Sequence, residues 1–358
     1  MISGNKFLQR CALAAAFALT VTPVLAAPAP GQPGMPAALD KQLDITFCIY
    51  DPMGNGGDAS SRARDLALES RKWNISTTIK VYTDERVAAE DFKAGQCDGL
   101  VVTTLRARQF NKFMGSLDAV GAIRSYKEMR SVLQTLANPK ILPLTISGPY
   151  QVIGIVPLGA AYVFVNDRSI NSIEKAAGKK VAVLDWDKSQ AKLVQQLGAQ
   201  PVASDITNFA SKFNNGQVDI LVAPAIIFKP FELYRGLGTK GAIFRYPLLQ
   251  ISGSIIINRE RLLKKVPDMD ERMGKMRAIA LERVEEAFKF VDKSEKEIDA
   301  KYWLDLSLVE QDKYARLLRD ARLQLTKDGT YDPQMMSLLK RVRCKNDPQN
   351  FECALKDE

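Results

Sequence analysis

The sequence predicts an α/β protein built as two similar lobes, each a mostly parallel sheet flanked by helices. The first observation is a repeat: residues 92–102 return 121 residues later as residues 213–223, with six of eleven positions identical. The second is that each copy predicts a helix ended by a glycine, followed by an apolar run typical of a buried parallel strand. The third is the helical periodicity after residue 260, which predicts C-terminal helices bracing both lobes.

The repeat also predicts where a ligand would bind. Open α/β sheets bind ligands beyond the carboxyl ends of their strands, so two facing lobes would hold one in the cleft between them. The alternative is chance, since helix–glycine–strand junctions occur throughout α/β proteins. We expect lobe I at residues 43–145 plus about 249–260 and lobe II at 146–248, followed by C-terminal helices at 261–343 and a disulfide-closed tail at 344–358.

Composition excludes several classes of function. The chain has no histidine, which removes histidine-ligated metals, serine–histidine hydrolases and imidazole acid–base catalysis. No clear nucleophile–base pair remains, so we expect no enzyme, no cofactor and no metal site. The formal charge is +9, but the acidic residues are numerous and dispersed, which argues against a nucleic-acid partner.

The N-terminus predicts export. Lys6 and Arg10 precede the apolar stretch Cys11–Leu25, which is too short to span a bilayer comfortably, and small residues favour cleavage after Ala26. We therefore expect a signal peptide at residues 1–26 and a flexible leader rich in proline, glycine and alanine at 27–42. No other stretch is long enough to cross a membrane, so the mature protein is expected in the periplasm.

Four cysteines remain after the signal peptide, and an even count in an oxidising compartment favours disulfides. Cys344 and Cys353 close a short loop and form the first predicted pair. Cys48 and Cys97 are then left together. Against this pair, Cys48 lies late in its strand and Cys97 at the start of the next, which would hold them apart in a parallel sheet; the alternative is two buried thiols.

Polar residues follow the predicted strands of lobe I. The strand at 44–50 runs into a glycine-rich loop at the start of a helix, and the strand of the first repeat delivers hydroxyls and guanidinium groups that could hold a polar or anionic ligand. The alternatives are an ordinary βα turn and arginines on a solvated helix face. The predicted ligand-binding residues of this wall are Asp51, Asn55, Asp58, Thr103, Thr104, Arg106 and Arg108.

The wall of lobe II is predicted at the matching strand ends. Asp185, Trp186 and Asp187 place an indole between two carboxylates, which suits a cationic or polar solute. The alternative is a helix-capping Asp187 with the tryptophan packed under its loop. Pro224 mirrors Thr103 in the repeat, and Phe228 follows it on the same wall.

These features together resemble a known family. The exported leader, the paired helix–glycine–strand units, the returning strand at 255–260 and the long helix after Val266-Pro267 look like extracytoplasmic solute-binding proteins of tripartite ATP-independent periplasmic (TRAP) transporters. Segments 83–87 and 105–112 and the Arg343-Cys344 region resemble a subfamily in which some members are labelled as efflux-associated. The resemblance implies a type II periplasmic-binding-protein-like fold, hinge closure on a small polar solute, and delivery to membrane permease subunits. We expect a monomer.

One position departs from the family pattern. TRAP-binding proteins usually carry an arginine in the second lobe that pairs with a substrate carboxylate, and this sequence has Ala182 there. Arg106 or Arg108 could substitute from the other lobe, or Asp185 and Asp187 could favour a cationic or zwitterionic solute. The alternative function is an envelope accessory of an efflux or cell-wall system that has the same fold but no small-molecule ligand.

Overall fold

The computed structural model describes residues 36–358, apart from the side chains at 188, 276–279 and 282. The predicted signal peptide and residues 27–35 of the predicted leader lie outside the described residues. Residues 36–42 form coil, and the Leu39 amide donates to the Trp73 carbonyl at 3.0 Å. The end of the predicted leader is thus hydrogen-bonded to the first lobe.

The first lobe contains three parallel strands in the order β2-β1-β3. They are β1 (Leu43–Tyr50), β2 (Ile75–Tyr82) and β3 (Gly99–Thr103). Its helices are α1 (Asp58–Ser70), α2 (Glu85–Lys93), α3 (Thr104–Ala107), α4 (Lys112–Gly115) and α5 (Tyr126–Leu136). The side chain of Asp84 caps α2 by accepting from the Arg86 amide at 2.7 Å.

The second lobe repeats this plan after the short strand β4 (Ile146–Ser147) and the long strand β5 (Tyr150–Val165). Its parallel strands are β6 (Lys180–Leu184), β7 (Gln200–Ser204) and β8 (Ile220–Pro224), in the order β8-β6-β7, with a short β9 (Ala242–Phe244) beside β5. Its helices are α6 (Lys188–Gln196), α7 (Phe209–Asn214) and α8 (Tyr234–Leu237).

The two copies of the repeat form matching units, as predicted. The chain leaves α2 through Gly95 and α7 through Gly216, with φ of 80° and 68°, a backbone conformation that favours glycine. Strands β3 and β8 each begin four residues after these glycines, at Gly99 and Ile220. The two strands are not neighbours, because two other strands lie between them.

Those two strands, β5 and β10 (Leu249–Asn258), join the lobes. They pair antiparallel with each other; β10 also pairs with β3 and β5 with β8, so one hydrogen-bonded sheet runs through both lobes. Strand β5 runs through Pro157 without a break. The pairing register shifts beside Pro157, which accommodates a residue without an amide hydrogen.

The C-terminal residues form the predicted helices. They are α9 (Arg259–Lys265), the long α10 (Met269–Lys296), α11 (Leu308–Lys327) and α12 (Pro333–Asn346), with a short β11 (Trp303–Leu304) beside β9. Met335, Met336 and Leu339 of α12 are buried in the core of the first lobe, whereas Tyr314 of α11 is buried in that of the second. These helices therefore pack against both lobes.

Both predicted cysteine pairs are joined. Cys344 and Cys353 have their Cα atoms 5.6 Å apart, and Cys48 and Cys97 have theirs 5.8 Å apart. The expected obstacle to the second pair does not arise, because Cys97 lies in the turn before β3 and not in the strand itself. This disulfide ties β1 to the junction between α2 and β3.

Candidate functional site

A cavity of about 840 Å³ lies between the two lobes. The carboxyl ends of β1 and β3 reach it from the first lobe, and those of β6 and β8 reach it from the second. Strands β5 and β10 pass between these walls, and α1, α6 and α10 contribute further lining. The cavity thus occupies the position that strand topology predicts for a ligand, with lining residues from both halves of the sheet.

Most of the cavity wall is aliphatic. Strand β6 contributes four consecutive apolar residues to it, and the crossing strands add Val156, Leu158, Ile251 and Ile255. The second lobe also supplies Phe209, Ile227 and Phe231. Such a wall favours a solute that has a substantial apolar body.

Three buried carboxylates interrupt this apolar wall. Asp51, after β1, accepts from the amides of Met53 at 2.9 Å and Ser60 at 2.8 Å. Asp187 caps α6 by accepting from the Ser189 amide at 3.1 Å. Asp118, from the irregular segment before α5, accepts from the amide and the hydroxyl of Ser252 at 2.9 and 2.6 Å. Their exposed fractions are only 2%, 8% and 1%, in that order.

Burial affects the protonation of Asp118. Burial disfavours its charged form and raises the pKa of this carboxyl to about 7. The hydrogen bonds from Ser252 and the positive charge of Arg108 oppose this shift but do not cancel it. Asp118 therefore titrates near neutral pH at the wall of the cavity.

The structure places five of the predicted ligand-binding residues on the cavity wall. They are Asp51, Asp58, Thr103, Asp187 and Pro224. Thr103 and Pro224 end β3 and β8, so the correspondence predicted from the repeat places two residues on facing walls. Asp187 is also the helix cap that the alternative interpretation described.

Arg106 and Trp186 contact each other across the cleft. The guanidinium carbon of Arg106 lies 4.1 Å from the centroid of the Trp186 ring, a cation–π distance. Arg106 Nε also donates to the buried Glu85 at 3.3 Å, and Thr103 Oγ1 donates to the same carboxylate at 2.7 Å. Neither Arg106 nor Trp186 lines the cavity; they join the first lobe to the second beside it.

The other predicted residues lie away from the cavity wall. Thr104 is fully buried and hydrogen-bonds to Ser252 and Ser254 of β10. Arg108 donates to the Gly115 carbonyl and lies over the Tyr331 ring. Phe228 packs in the core of the second lobe. Asn55 and Asp185 are exposed and do not line the cavity.

Several lining residues were not predicted from the sequence. Helix α1 contributes Arg62, Leu66 and Glu69, and α10 contributes Arg283 and Phe290. The lining residues of α1 could have been predicted, because one face of this helix lies toward the loop after β1, and that loop was already a predicted site. Asp118 lies in an irregular segment, where no periodicity marks a buried side chain.

A polar cluster lies where the lobes join. The hydroxyl groups of Tyr126 from α5 and Tyr162 from β5 both donate to Glu295 of α10. The Tyr126 hydroxyl also accepts from the Ala160 amide at 3.0 Å. The neighbouring Gly159 has φ of +103°, at a shift in the register between β5 and β10. This cluster connects α10 with α5 and with strand β5.

Within residues 36–358, no helix combines the length and apolarity that a bilayer span requires. Within the same range, no three histidine, cysteine, aspartate or glutamate side chains are arranged to hold a metal ion.

Solved structures with a similar fold are TRAP periplasmic solute-binding proteins. One from Ralstonia eutropha H16, with bound (S)-2-acetolactate, gives a TM-score of 0.67 at 15% identity and covers 84% of this chain and 97% of its own. One from Desulfovibrio salexigens, with bound orotic acid, gives 0.65 at 14% identity and covers 85% and 99%. The fold is therefore the two-lobe type II fold of solute-binding proteins.

Sequence relatives define the family. The model of the family "Solute-binding protein AdeT 1/2" matches residues 63–358. The protein from Acinetobacter baumannii named "Probable solute-binding protein AdeT1" is 48% identical over 310 residues, which are 87% of this chain and all of that protein. The chain therefore belongs to the AdeT1/2 family of solute-binding proteins, and this family and its structural neighbours are binding proteins and not enzymes.

Proposed function

We propose that the protein is exported to the periplasm, captures a small solute by closing its two lobes, and delivers it to a membrane permease. The observation that carries this proposal is the cavity of about 840 Å³, lined from both lobes at the carboxyl ends of their strands. A ligand that contacts both walls binds the closed state better than the open state, and this difference drives closure.

The structural neighbours support a small organic solute. Their bound molecules are (S)-2-acetolactate, orotic acid and β-D-galacturonate. In the proposed site, Asp51, Asp58 and Thr103 contact the solute from the first lobe, and Asp187 and Pro224 contact it from the second. Arg106 and Trp186 hold the lobes together beside the solute.

A thermal-shift screen of the mature protein tests the proposal. We expect at least one compound among organic acids, amino acids, polyamines, aminoglycosides and apolar amines to raise the melting temperature in a concentration-dependent way, because a ligand that binds only the folded state stabilises it by mass action. Small-angle scattering of the same complex should show a smaller radius of gyration than the free protein.

Melting temperatures that stay constant across all classes would contradict the proposal. That result would favour the envelope accessory, which has the same fold and takes no small ligand. Ligand binding without any change in the radius of gyration would contradict the closure of the lobes but not the binding of a solute.

A further inference from the structure

The lining of the cavity has an excess of negative charge. Among its described residues, seven are acidic and two are basic. The acidic residues are Asp51, Asp58, Asp65, Glu69, Asp118, Asp187 and Glu286, and the basic residues are Arg62 and Arg283. The walls that a solute contacts thus carry more groups that attract a cation than groups that attract an anion.

Both arginines already have partners within the protein. Arg283 forms ion pairs with Glu69 at 2.9 Å and with Glu286 at 3.4 Å. The guanidinium carbon of Arg62 lies 5.0 Å from the centroid of the Phe290 ring. A solute carboxylate would have to compete with these contacts to pair with either guanidinium group.

The three buried carboxylates form no direct ion pair with a described lysine or arginine, and among them the more distant charge of Arg108 acts on Asp118. Hydrogen bonds from backbone amides and serine hydroxyls reach Asp51, Asp118 and Asp187, but no described lysine or arginine lies within 4.0 Å of them in an ion pair. A buried charge without a counter-ion is costly, and a ligand of opposite charge offsets that cost.

The rest of the wall limits how polar the solute is. Strand β6 presents Val181, Ala182, Val183 and Leu184, and the crossing strands present further aliphatic groups. A polycation with many hydroxyl or amine groups would leave several of its polar groups unpaired against this surface. An apolar body with one cationic group matches both features of the cavity.

We propose that the solute is an amphipathic organic cation whose nitrogen pairs with the buried carboxylates while its apolar body packs on β5, β6 and β10. This inference rests on the proposed function, since it assigns a chemical class to the same cavity. The two lobes both contribute, because Asp51 and Asp118 belong to the first lobe and Asp187 to the second. A cation that contacts all three therefore favours closure.

Calorimetric titration with two isosteric probe pairs tests the chemical class. The pairs are hexylammonium against heptanoate and phenethylammonium against 3-phenylpropanoate, titrated above the pKa of Asp118. We expect at least one cation to bind about tenfold or more tightly than its anionic counterpart. Carboxylates that bind as tightly as the cations, or more tightly, would contradict the assignment of a cationic solute but not the proposed function. Silence from these probes and from the whole thermal-shift library would overturn both.

Three variants test whether charge is the cause. Asp51→Asn, Asp118→Asn and Asp187→Asn each remove the negative charge and keep one of the two accepting oxygens, and asparagine caps helices about as well as aspartate. Each is expected to weaken binding of the cation about tenfold. Binding of hexan-1-ol, the uncharged probe, should be unchanged.

Asp299→Asn is the matched control, because Asp299 also caps a helical turn but does not line the cavity. It should leave cation binding unchanged. If the three cavity variants weakened hexan-1-ol and the cation equally, the carboxylates would shape the cavity and not select charge, and the proposal would be wrong.

Discussion

At the scale of single residues, Asp118 shows how the fold sets a charge. Its carboxyl is removed from water, and only two hydrogen bonds from Ser252 and the charge of Arg108 favour ionisation. Tyr331, which also lines the cavity, is itself buried beneath Arg108. The raised pKa means that the folded protein binds this proton more tightly than the unfolded chain does.

The stability that Asp118 contributes should therefore fall as the pH rises from about 4 to about 7, because this contribution is complete below the unfolded pKa of the carboxyl and is lost through its folded pKa of about 7. A shift of this size corresponds to roughly 4 kcal/mol. Urea unfolding of the wild type and of Asp118→Asn across this pH range measures it. The variant should lose less stability on raising the pH. Parallel curves would show that Asp118 is not the titrating group, leaving the buried Glu85, whose pKa burial also raises, as an alternative.

At the scale of elements, the sequence predicted regular structure better than the site. The glycine ends of α2 and α7 and the strands that follow them were predicted correctly, because glycine stops and apolar runs act within a few residues. Thr103 and Pro224 were placed on the cavity wall because the repeat set their register.

The remaining site residues depend on contacts between distant elements. Helix α3 begins at Thr104, directly after Thr103, and ends before Arg108. Thr104 therefore contacts β10, and Arg108 contacts Tyr331. Phe228 turns into the core of the second lobe for the same reason, since a helical turn begins after Pro224. Local sequence does not show which side of such a turn faces a cavity.

The contact between Arg106 and Trp186 leads to a prediction at this scale. Trp186→Leu removes a cation–π contact between the lobes, worth about 1 kcal/mol, that forms only when they are close. Solute binding should weaken about fivefold, while the melting temperature of the free protein stays nearly unchanged. Titration calorimetry and thermal melting measure the two effects.

The second lobe offers a matched control for that variant. Arg245 lies 4.8 Å from the ring centroid of Trp303, which packs against the core of the same lobe. Arg245→Gln should leave solute affinity unchanged. Equal losses of affinity in both variants, or a large loss of stability in Trp186→Leu, would contradict a role of Trp186 in closure.

At the scale of the molecule, strand β5 packs closely against α10 where it passes from one lobe to the other. Gly159 adopts a φ of +103°, and a Cβ atom there would lie 2.9 Å from Cγ1 of Val291 on α10. The hydrogen bond from the Tyr126 hydroxyl to the Glu295 carboxylate lies in the same region. Movement of one lobe on the other must therefore involve the two joining strands, β5 and β10, and the contact of β5 with α10. The exact boundaries of the lobes stay a prediction.

Gly159→Ala tests this crossing. The alanine side chain would meet α10 and strain the backbone, with an expected loss of about 1–3 kcal/mol in the free energy of unfolding and a changed solute affinity. Gly148→Ala is the control, because Gly148 also has positive φ (+53°) but open space around a Cβ atom. It should cost about 1 kcal/mol and leave affinity unchanged. Equal effects of the two variants on affinity would argue against a hinge at Gly159.

The shared strands have a consequence for dissecting the chain. The sheet of the first lobe is completed by β10, which the chain supplies only after it has built the second lobe. A fragment ending before residue 249 would leave one edge of β3 and one edge of β5 without a hydrogen-bonded neighbour, and unpaired strand edges promote aggregation. Neither half is a self-sufficient folding unit, so limited digestion or gene splitting between the lobes should yield insoluble pieces and not two working half-receptors.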